Sequence, residues 1–378
     1  MVVEAAPGET VLTRVARIVR REPVLVLSLA LAILSMFLNP PSRQYLAYMD
    51  FKVLGCLFAL MAVVSAFRSI GMFERLSIRL LSRVKTTRQV SALLVGLAFF
   101  SSMLITNDVA LITFVPFTLV VFGMLKDPRP IIITIVLQTV AANVGSSLTP
   151  MGNPQNLYLF SFYGMDAHDF FVTMVPLVGV GGIVLLLMLS VIGGRNQAIV
   201  GPGQEDVPPL DKRKVARYFL LFVFSVLAVF DVVPWYLVVP VVAVTVGREQ
   251  LRTVDYGLLL TFVGFFIFVG NLGDLPAVRS LIERMLSGRV FLVSLFASQF
   301  LSNVPAALLL SHFTDESAQL LLGVNAGGCG TLIASLASVI SFKFFAAHDA
   351  KASWRYLWVF TKVNILFVLV FVGTWLIG

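Results

Sequence analysis

TNDVALI, residues 106–112, sets Thr106, Asn107 and Asp108 side by side in the middle of an otherwise largely apolar run from residue 89 to 125. The run is about twice the ~20 residues that one membrane span requires. Basic residues flank both of its ends, Lys85 and Arg88 before it and Lys126 and Arg129 after it. A polar centre with no charged loop, between two basic flanks, predicts a hairpin that enters and leaves a membrane on the same side.

Hydrophobic residues make up 58% of the 378-residue chain and charged residues 13%, against an apolar share of roughly 45–50% in soluble proteins. Apolar runs recur from Pro23 to the C-terminus without a polar gap long enough for a soluble domain, so we expect one integral membrane domain over 1–378. Expected segments are about 23–39, 51–73, 89–125, 131–165, 169–192, 214–231, 235–247, 254–271, 289–313, 318–345 and 353–377. The first apolar run ends in Asn39-Pro40-Pro41-Ser42 and lacks a small-x-small cleavage site, which reads as a retained helix within 23–49. Cys56 and Cys329 form no metal-ligand spacing, so neither zinc nor a disulfide is expected, and no cofactor other than Na⁺ as a candidate coupling ion.

The net charge of +8 reports topology, and no nucleic-acid partner is expected. Of the 28 Lys and Arg, 22 fall in segments 1–22, 67–88, 126–130, 193–217, 248–252 and 343–355. Lys362 lies within a segment, and five (Arg43, Lys52, Arg279, Arg284 and Arg289) fall on the other side if 89–125 and 289–313 each pass an even number of times. Cytoplasmic loops carry the basic excess, so the N-terminus, 126–130 and 193–213 are expected in the cytoplasm. The Gly-, Pro- and charge-rich 193–213 reads as a cytoplasmic linker.

The chain also repeats itself. FFSSMLITN (99–107) aligns without gaps on LFASQFLSN (295–303), and NVGSSLTPMGNPQNL (143–157) on NAGGCGTLIASLASV (325–339). Asn107 meets Asn303, Asn143 meets Asn325, Gly145 meets Gly327 and Thr149 meets Thr331. With the charge-derived sidedness, the copies in 50–192 and 214–378 run in opposite senses. The expected fold is all-α and polytopic, an inverted repeat with two re-entrant hairpins and two broken transmembrane helices. An amphipathic stretch precedes each hairpin. Leu76, Leu80, Leu81 and Val84 should share one face of 73–84, and Val278, Leu281, Ile282 and Met285 one face of 275–286.

Irregular backbone at membrane depth survives only where protein buries it or where it lines a cavity. Four such places are expected: Thr106-Asn107-Asp108, 143–156, Ser302-Asn303, and 325–338. Asn107 or Asp108 can cap a helix from Val109, and Asn153 one that starts at Pro154. Helix N-termini there would attract anions, and unwound carbonyls and hydroxyls would suit Na⁺. The candidate substrate or ion residues are Thr106, Asn107, Asp108, Asn143, Gly145, Ser146, Ser147, Thr149, Asn153, Asn156, Ser302, Asn303, Asn325, Gly327, Gly328, Thr331, Ser335 and Ser338. Within that set Asn107, Asp108, Asn143, Ser147 and Thr149 form a Na⁺ candidate. Small-residue runs also serve plain helix packing, and an Asp can be a cap alone. A carboxylate in a bilayer costs about 2.5–3.5 kcal/mol on insertion scales, which favours a functional role for Asp108.

At TNDVAL (106–111), LTPMGNPQN (148–156), SNVP (302–305) and NAGGCG (325–330) the chain resembles the ion transporter superfamily of arsenite efflux permeases, NhaD-type sodium/proton antiporters and divalent-anion/sodium symporters. Its nearest likeness there is to the YbiR-type transporters. The likeness spans roughly residues 50–375. It implies two hairpins, two broken helices, an elevator motion and a homodimer in the inner membrane. It places the tips on Thr106-Asn107-Asp108 and Ser302-Asn303. Dicarboxylate symporters carry Ser-Asn-Thr at both tips, whereas this chain has Asp108 and Val304, which shifts weight toward a small inorganic ion. We therefore expect a secondary active transporter, not an enzyme, that couples Na⁺ or H⁺ to a small anion or oxyanion. The alternatives are a sodium/proton antiporter centred on Asp108 and, from other classes, a channel or an intramembrane hydrolase.

Overall fold

The computed structural model describes residues 22–84, 86–123, 129–191 and 210–377. The N-terminal segment to residue 21, most of the 126–130 loop and most of the 193–213 linker therefore lie outside the described residues. Among the described residues the chain is helical, with no β-strand. Six helices are long and apolar enough to cross a membrane: Phe51–Ser69, Thr87–Ile105, Arg129–Ser146, Ala167–Ser190, Tyr256–Gly273 and Ser353–Ile377. This is the architecture of an integral, polytopic membrane protein.

Packing divides the chain into two compact units. The first holds residues up to Ser69, Lys214–Gly288 and Leu308–Asp315. It contains α1 (Pro23–Met36), α2 (Tyr45–Tyr48), α3 (Phe51–Ser69), most of α10 (Lys212–Val229), α11 (Trp235–Val246), α12 (Arg248–Leu251), α13 (Tyr256–Gly273) and α14 (Pro276–Leu286). Here α1 packs along α13 and α3 along α11. Close approach depends on glycine. A Cβ on Gly264 would meet Ser28 Oγ at 2.8 Å, and one on Gly270 would lie 2.4 Å from the Tyr48 ring. Asp274 collects donors from Tyr48 (2.7 Å) and Asn39 (3.1 Å), which ties the chain after α1 to the end of α13.

The second unit holds Ile70–Arg213, Arg289–Ala307 and Glu316–Gly378. Its helices are α4 (Met72–Leu81), α5 (Thr87–Ile105), α6 (Asn107–Phe122), α7 (Arg129–Ser146), α8 (Pro154–Phe162), α9 (Ala167–Val191), α15 (Val290–Leu301), the start of α16 (Asn303–Leu310), α17 (Ser317–Gly327), α18 (Leu336–His348) and α19 (Ser353–Ile377). The expected segments 89–125, 131–165, 289–313 and 318–345 each resolve into two helices. The interruptions fall at 106, 147–153, 302 and 328–335. α7 forms the middle of this unit: every residue from Thr134 to Ser146 is buried. Gln138, fully buried on α7, accepts from Thr118 on α6 (2.8 Å) and donates to the Leu94 carbonyl on α5 (3.3 Å). That hydrogen bonding allows a polar residue in an apolar core.

Two local expectations change. On α4 the buried stripe is Phe73, Ser77 and Leu81, spaced i, i+4, i+8, while Leu76 is exposed; the apolar residues thus divide between two faces. On α14 Leu281 and Met285 are exposed and Leu286 is buried, so its apolar stripe is left open within the unit.

Candidate functional site

The two short turns between α5 and α6 and between α15 and α16 have the same construction. α5 ends at Ile105 and α6 starts at Asn107, with Thr106 alone between them at φ 69° and ψ 150°. α15 ends at Leu301 and α16 starts at Asn303, with Ser302 at φ 75° and ψ 154°. Residues with side chains rarely occupy this region, at a cost of order 1–3 kcal/mol, so surrounding contacts must hold it. The same two contacts of the following asparagine recur in both places. The Asn107 N–H donates to the Gly152 carbonyl (3.2 Å), and the Asn303 N–H to the Ala334 carbonyl (2.9 Å). Asn107 Oδ1 accepts from the Asp108 N–H (3.0 Å), and Asn303 Oδ1 from the Val304 N–H (2.9 Å). The helix thus begins two residues earlier than expected. Asn107 and Asp108 lie in its first turn, and Thr106 stands at the N-cap without a side-chain cap bond.

The interruptions after α7 and α17 match as well. Thr149 donates to the Met103 carbonyl (2.5 Å) and Thr331 to the Gln299 carbonyl (2.9 Å). A Cβ on Gly145 would lie 2.1 Å from the Phe99 carbonyl oxygen; one on Gly327 would lie 2.7 Å from Ser298 Cβ and 3.0 Å from the Leu295 carbonyl oxygen. These pairs sit at the positions that the gapless alignment equates.

Two asparagines then cross between the copies. Asn143, near the end of α7, donates to the Gly328 carbonyl in the second interruption (3.2 Å). Its Oδ1 accepts from Asn107 (2.9 Å) and from Ser335 (3.0 Å). Asn325, near the end of α17, accepts from Asn153 (3.1 Å) and Ser147 (2.9 Å), and donates to Asn156 Oδ1 (2.7 Å). Both amides are more than nine-tenths buried. Each acceptor oxygen already holds two donors, so both are saturated in this conformation.

The structure therefore gathers Asn107, Asn143, Ser147, Asn153, Asn156, Gly328, Asn325 and Ser335 into one polar core, with Ser146 joined to it through Asn153 (3.3 Å). Thr149 and Thr331 bond instead to the hairpin backbone, and Gly145 and Gly327 serve close helix approach. Asp108 is half-buried beside Asn107. Asn303 Nδ2 and the fully buried Ser338 hydroxyl make no hydrogen bond among the described residues. What sequence reasoning missed is Gln299. Its amide donates to the Gly327 carbonyl (2.8 Å) and accepts from the Thr331 N–H (2.8 Å). The signal was present as the one long polar side chain in an apolar hairpin arm, aligned with Met103.

Polar groups at the two turns differ between the copies. Asp108 and the remaining acceptor capacity of Asn107 supply oxygen at the first turn. At the second, Asn303 supplies N–H, and Ser338 carries a hydroxyl in the first turn of α18.

Comparison with known proteins shows the family. The profile of the CitMHS family, described as a citrate transporter, matches residues 10–342. The uncharacterized transporter MJ0456 of Methanocaldococcus jannaschii is 30% identical over 322 residues, 85% of this chain and 88% of its own length. The inner membrane protein YbiR of Escherichia coli is 30% identical over 330 residues, 85% and 87% of the two chains. The silicon efflux transporter LSI3 of Oryza sativa subsp. japonica is 31% identical over a shorter 145 residues, 38% of this chain and 29% of its own. With its helices, its paired interruptions and these relatives together, the chain is a membrane transporter and belongs to the CitMHS citrate transporter family.

Proposed function

We propose that the protein is a secondary active transporter that couples Na⁺ or H⁺ to movement of a small anion or oxyanion across the inner membrane. The observation that carries this reading is the asymmetry of an otherwise duplicated site: Asp108 at the first turn, Val304 at the equivalent place in the second. A carboxylate beside Asn107 is an oxygen site for a cation. The second turn, with the Asn303 amide, the Ser338 hydroxyl and the N-terminal ends of α16 and α18, is a donor site for an anion's oxygens. The names of relatives, a citrate transporter family and a silicon efflux transporter, support a small oxygen-rich cargo.

Both turns are re-entrant hairpins in this reading, supported by their polar tips, and the sidedness of basic residues supports an inverted repeat of the two copies. Alternating access is of the elevator type, with the unit that holds the site moving as a body in a homodimer. A second reading, sodium/proton antiport, draws on the same half-buried Asp108, with the cation itself as cargo.

A thermal-stability panel on purified protein separates the two. A ligand at 100 times its Kd stabilises by about 2.7 kcal/mol. For anion symport, citrate, silicate, phosphate or arsenite should raise the unfolding midpoint only when Na⁺ is present or the pH is low. Stabilisation by Na⁺ that protons compete away, with no anion effect, would favour antiport. No response to any cation, proton or anion would contradict both.

A further inference from the structure

Among the positions at which the duplicated halves differ, one pair is coupled. Met103 and Leu148 of the first copy are replaced by Gln299 and Gly330 in the second. The two replacements meet in space: a Cβ on Gly330 would lie 1.8 Å from Gln299 Oε1 and 2.5 Å from its Cδ. The missing side chain at 330 makes the room that the glutamine fills. From there the Gln299 amide donates to the carbonyls of Leu295 (2.9 Å) and Gly327 (2.8 Å) and accepts from the Thr331 N–H (2.8 Å). Three of its four hydrogen-bonding positions are used, and two of them join the end of α17 at Gly327 to Thr331 inside the interruption that starts at Gly328.

In the first copy the carboxamide comes from the opposite direction. Asn156, on the helix after the interruption, donates to the carbonyls of Ser147 (3.1 Å) and Thr149 (3.2 Å). Its equivalent in the second copy is Ser338, whose hydroxyl makes no such bond among the described residues. An amide thus braces the backbone at each interruption: Asn156 from the following helix in the first copy, and in the second Gln299 from the preceding hairpin, on the Gly327 carbonyl next to the Gly328 carbonyl that Asn143 holds.

We propose that Gln299 is a positioning residue: with Gly330 as its socket, it clamps the α15–α16 hairpin to the 328–335 interruption and so holds the Gly328 carbonyl on Asn143. The clamp is independent of which ion or anion is carried.

Cys329 lies inside the clamped segment, 1% exposed, and Cys56 is the chain's other cysteine. In full-length protein with Cys56→Ala, alkylation of Cys329 by N-ethylmaleimide therefore reads opening of the interruption. Gln299→Met, which installs the residue of the first copy, should speed alkylation on the order of tenfold over the parent at the same pH. Gly330→Ala keeps the glutamine but displaces it, and should do the same; the double variant should be no faster than either alone. Gln299→Glu adds a readout that a merely structural side chain would not move. As a carboxylate it can accept from Thr331 but donate to neither carbonyl; protonated, it regains a donor. Its rate relative to the parent should fall toward one as pH is lowered, while that of Gln299→Met stays constant. Should Gln299→Met not fold, Gly330→Ala and Gln299→Glu carry the test. Parent-like rates in the folded single variants, additive rates in the double variant, or a pH-independent ratio for Gln299→Glu would each overturn the clamp.

Discussion

At Thr106 and Ser302 a residue with a side chain holds a backbone shape that glycine would adopt freely. The carbonyls of Gly152 and Ala334 fix that shape by accepting the next N–H. Thr106→Gly removes the steric cost at a position whose hydroxyl makes no hydrogen bond among the described residues. It should raise folding stability by up to about 1 kcal/mol, measured as the unfolding midpoint; an unchanged or lower midpoint would contradict the account of strain at the tip. Asn143 is the opposite case. Asn143→Leu fills similar volume but leaves Asn107, Ser335 and the Gly328 carbonyl short of a buried partner, at about 1–3 kcal/mol for each group left unsatisfied. We expect it to destabilise by more than Asn107→Ala, which strips Asn143 of one donor. Equal midpoints for the two variants would remove Asn143 from the centre of the core. The residue pairs Asn107/Asn303, Asn143/Asn325 and Thr149/Thr331 were legible in the sequence because identities survive there. Gln299 stood out as a polar side chain, but its role was not legible, since that depends on Gly330, 31 positions away, and neither residue has a counterpart of like chemistry in the first copy.

The helices are placed by how closely their backbones can meet. On α7 Gly145 faces the Phe99 carbonyl, a rigid backbone atom, whereas on α17 Gly327 faces first the side chain of Ser298. Gly145→Ala should therefore cost more than Gly327→Ala, about 2–3 kcal/mol against about 1. Gly96→Ala on α5, with nothing within 4 Å, should be neutral or slightly stabilising. Thermal unfolding of the three variants checks the order; Gly327→Ala being the more harmful would reverse the packing argument. Helix existence and the four interruptions could be read in advance, because polar and small residues inside apolar runs have few other uses. The buried face of α4 could not. Leu76 and Leu80 have the periodicity of a core stripe, yet Phe73 and Leu81 occupy the buried side with Ser77 between them. The hydroxyl of Ser77 is satisfied by the Phe73 carbonyl of its own helix (2.8 Å), which lets a polar residue hold a core position. Likewise, helix α6 starts at Asn107 because the backbone turns at Thr106, which side-chain capping preference does not reveal.

For the whole molecule, the proposed sidedness of the loops rests on the placement of basic residues. A single cysteine at 127 should be shielded from a membrane-impermeant thiol reagent applied outside cells, and one at 315 should react. The reverse pattern would overturn the sidedness and with it the inverted sense of the two copies. The all-helical, polytopic membrane class followed from composition and the length of apolar runs, and family membership was foreshadowed by the TNDVAL and GNPQN motifs. Division into two packed units was not legible, because both units are built from helices of similar apolar composition. The central claim is that the one charged position in the duplicated core binds the coupling cation. Its most direct test is Na⁺ titration of unfolding midpoints for wild type and Asp108→Asn at pH 6 and pH 8. The variant keeps the side chain's shape and lies in the first turn of α6, where it can still serve the helix start. The account predicts Na⁺- or proton-dependent stabilisation in wild type that is lost in Asp108→Asn, with both proteins folded. Identical cation and pH responses in the two proteins would contradict it and leave Asp108 as part of a helix start.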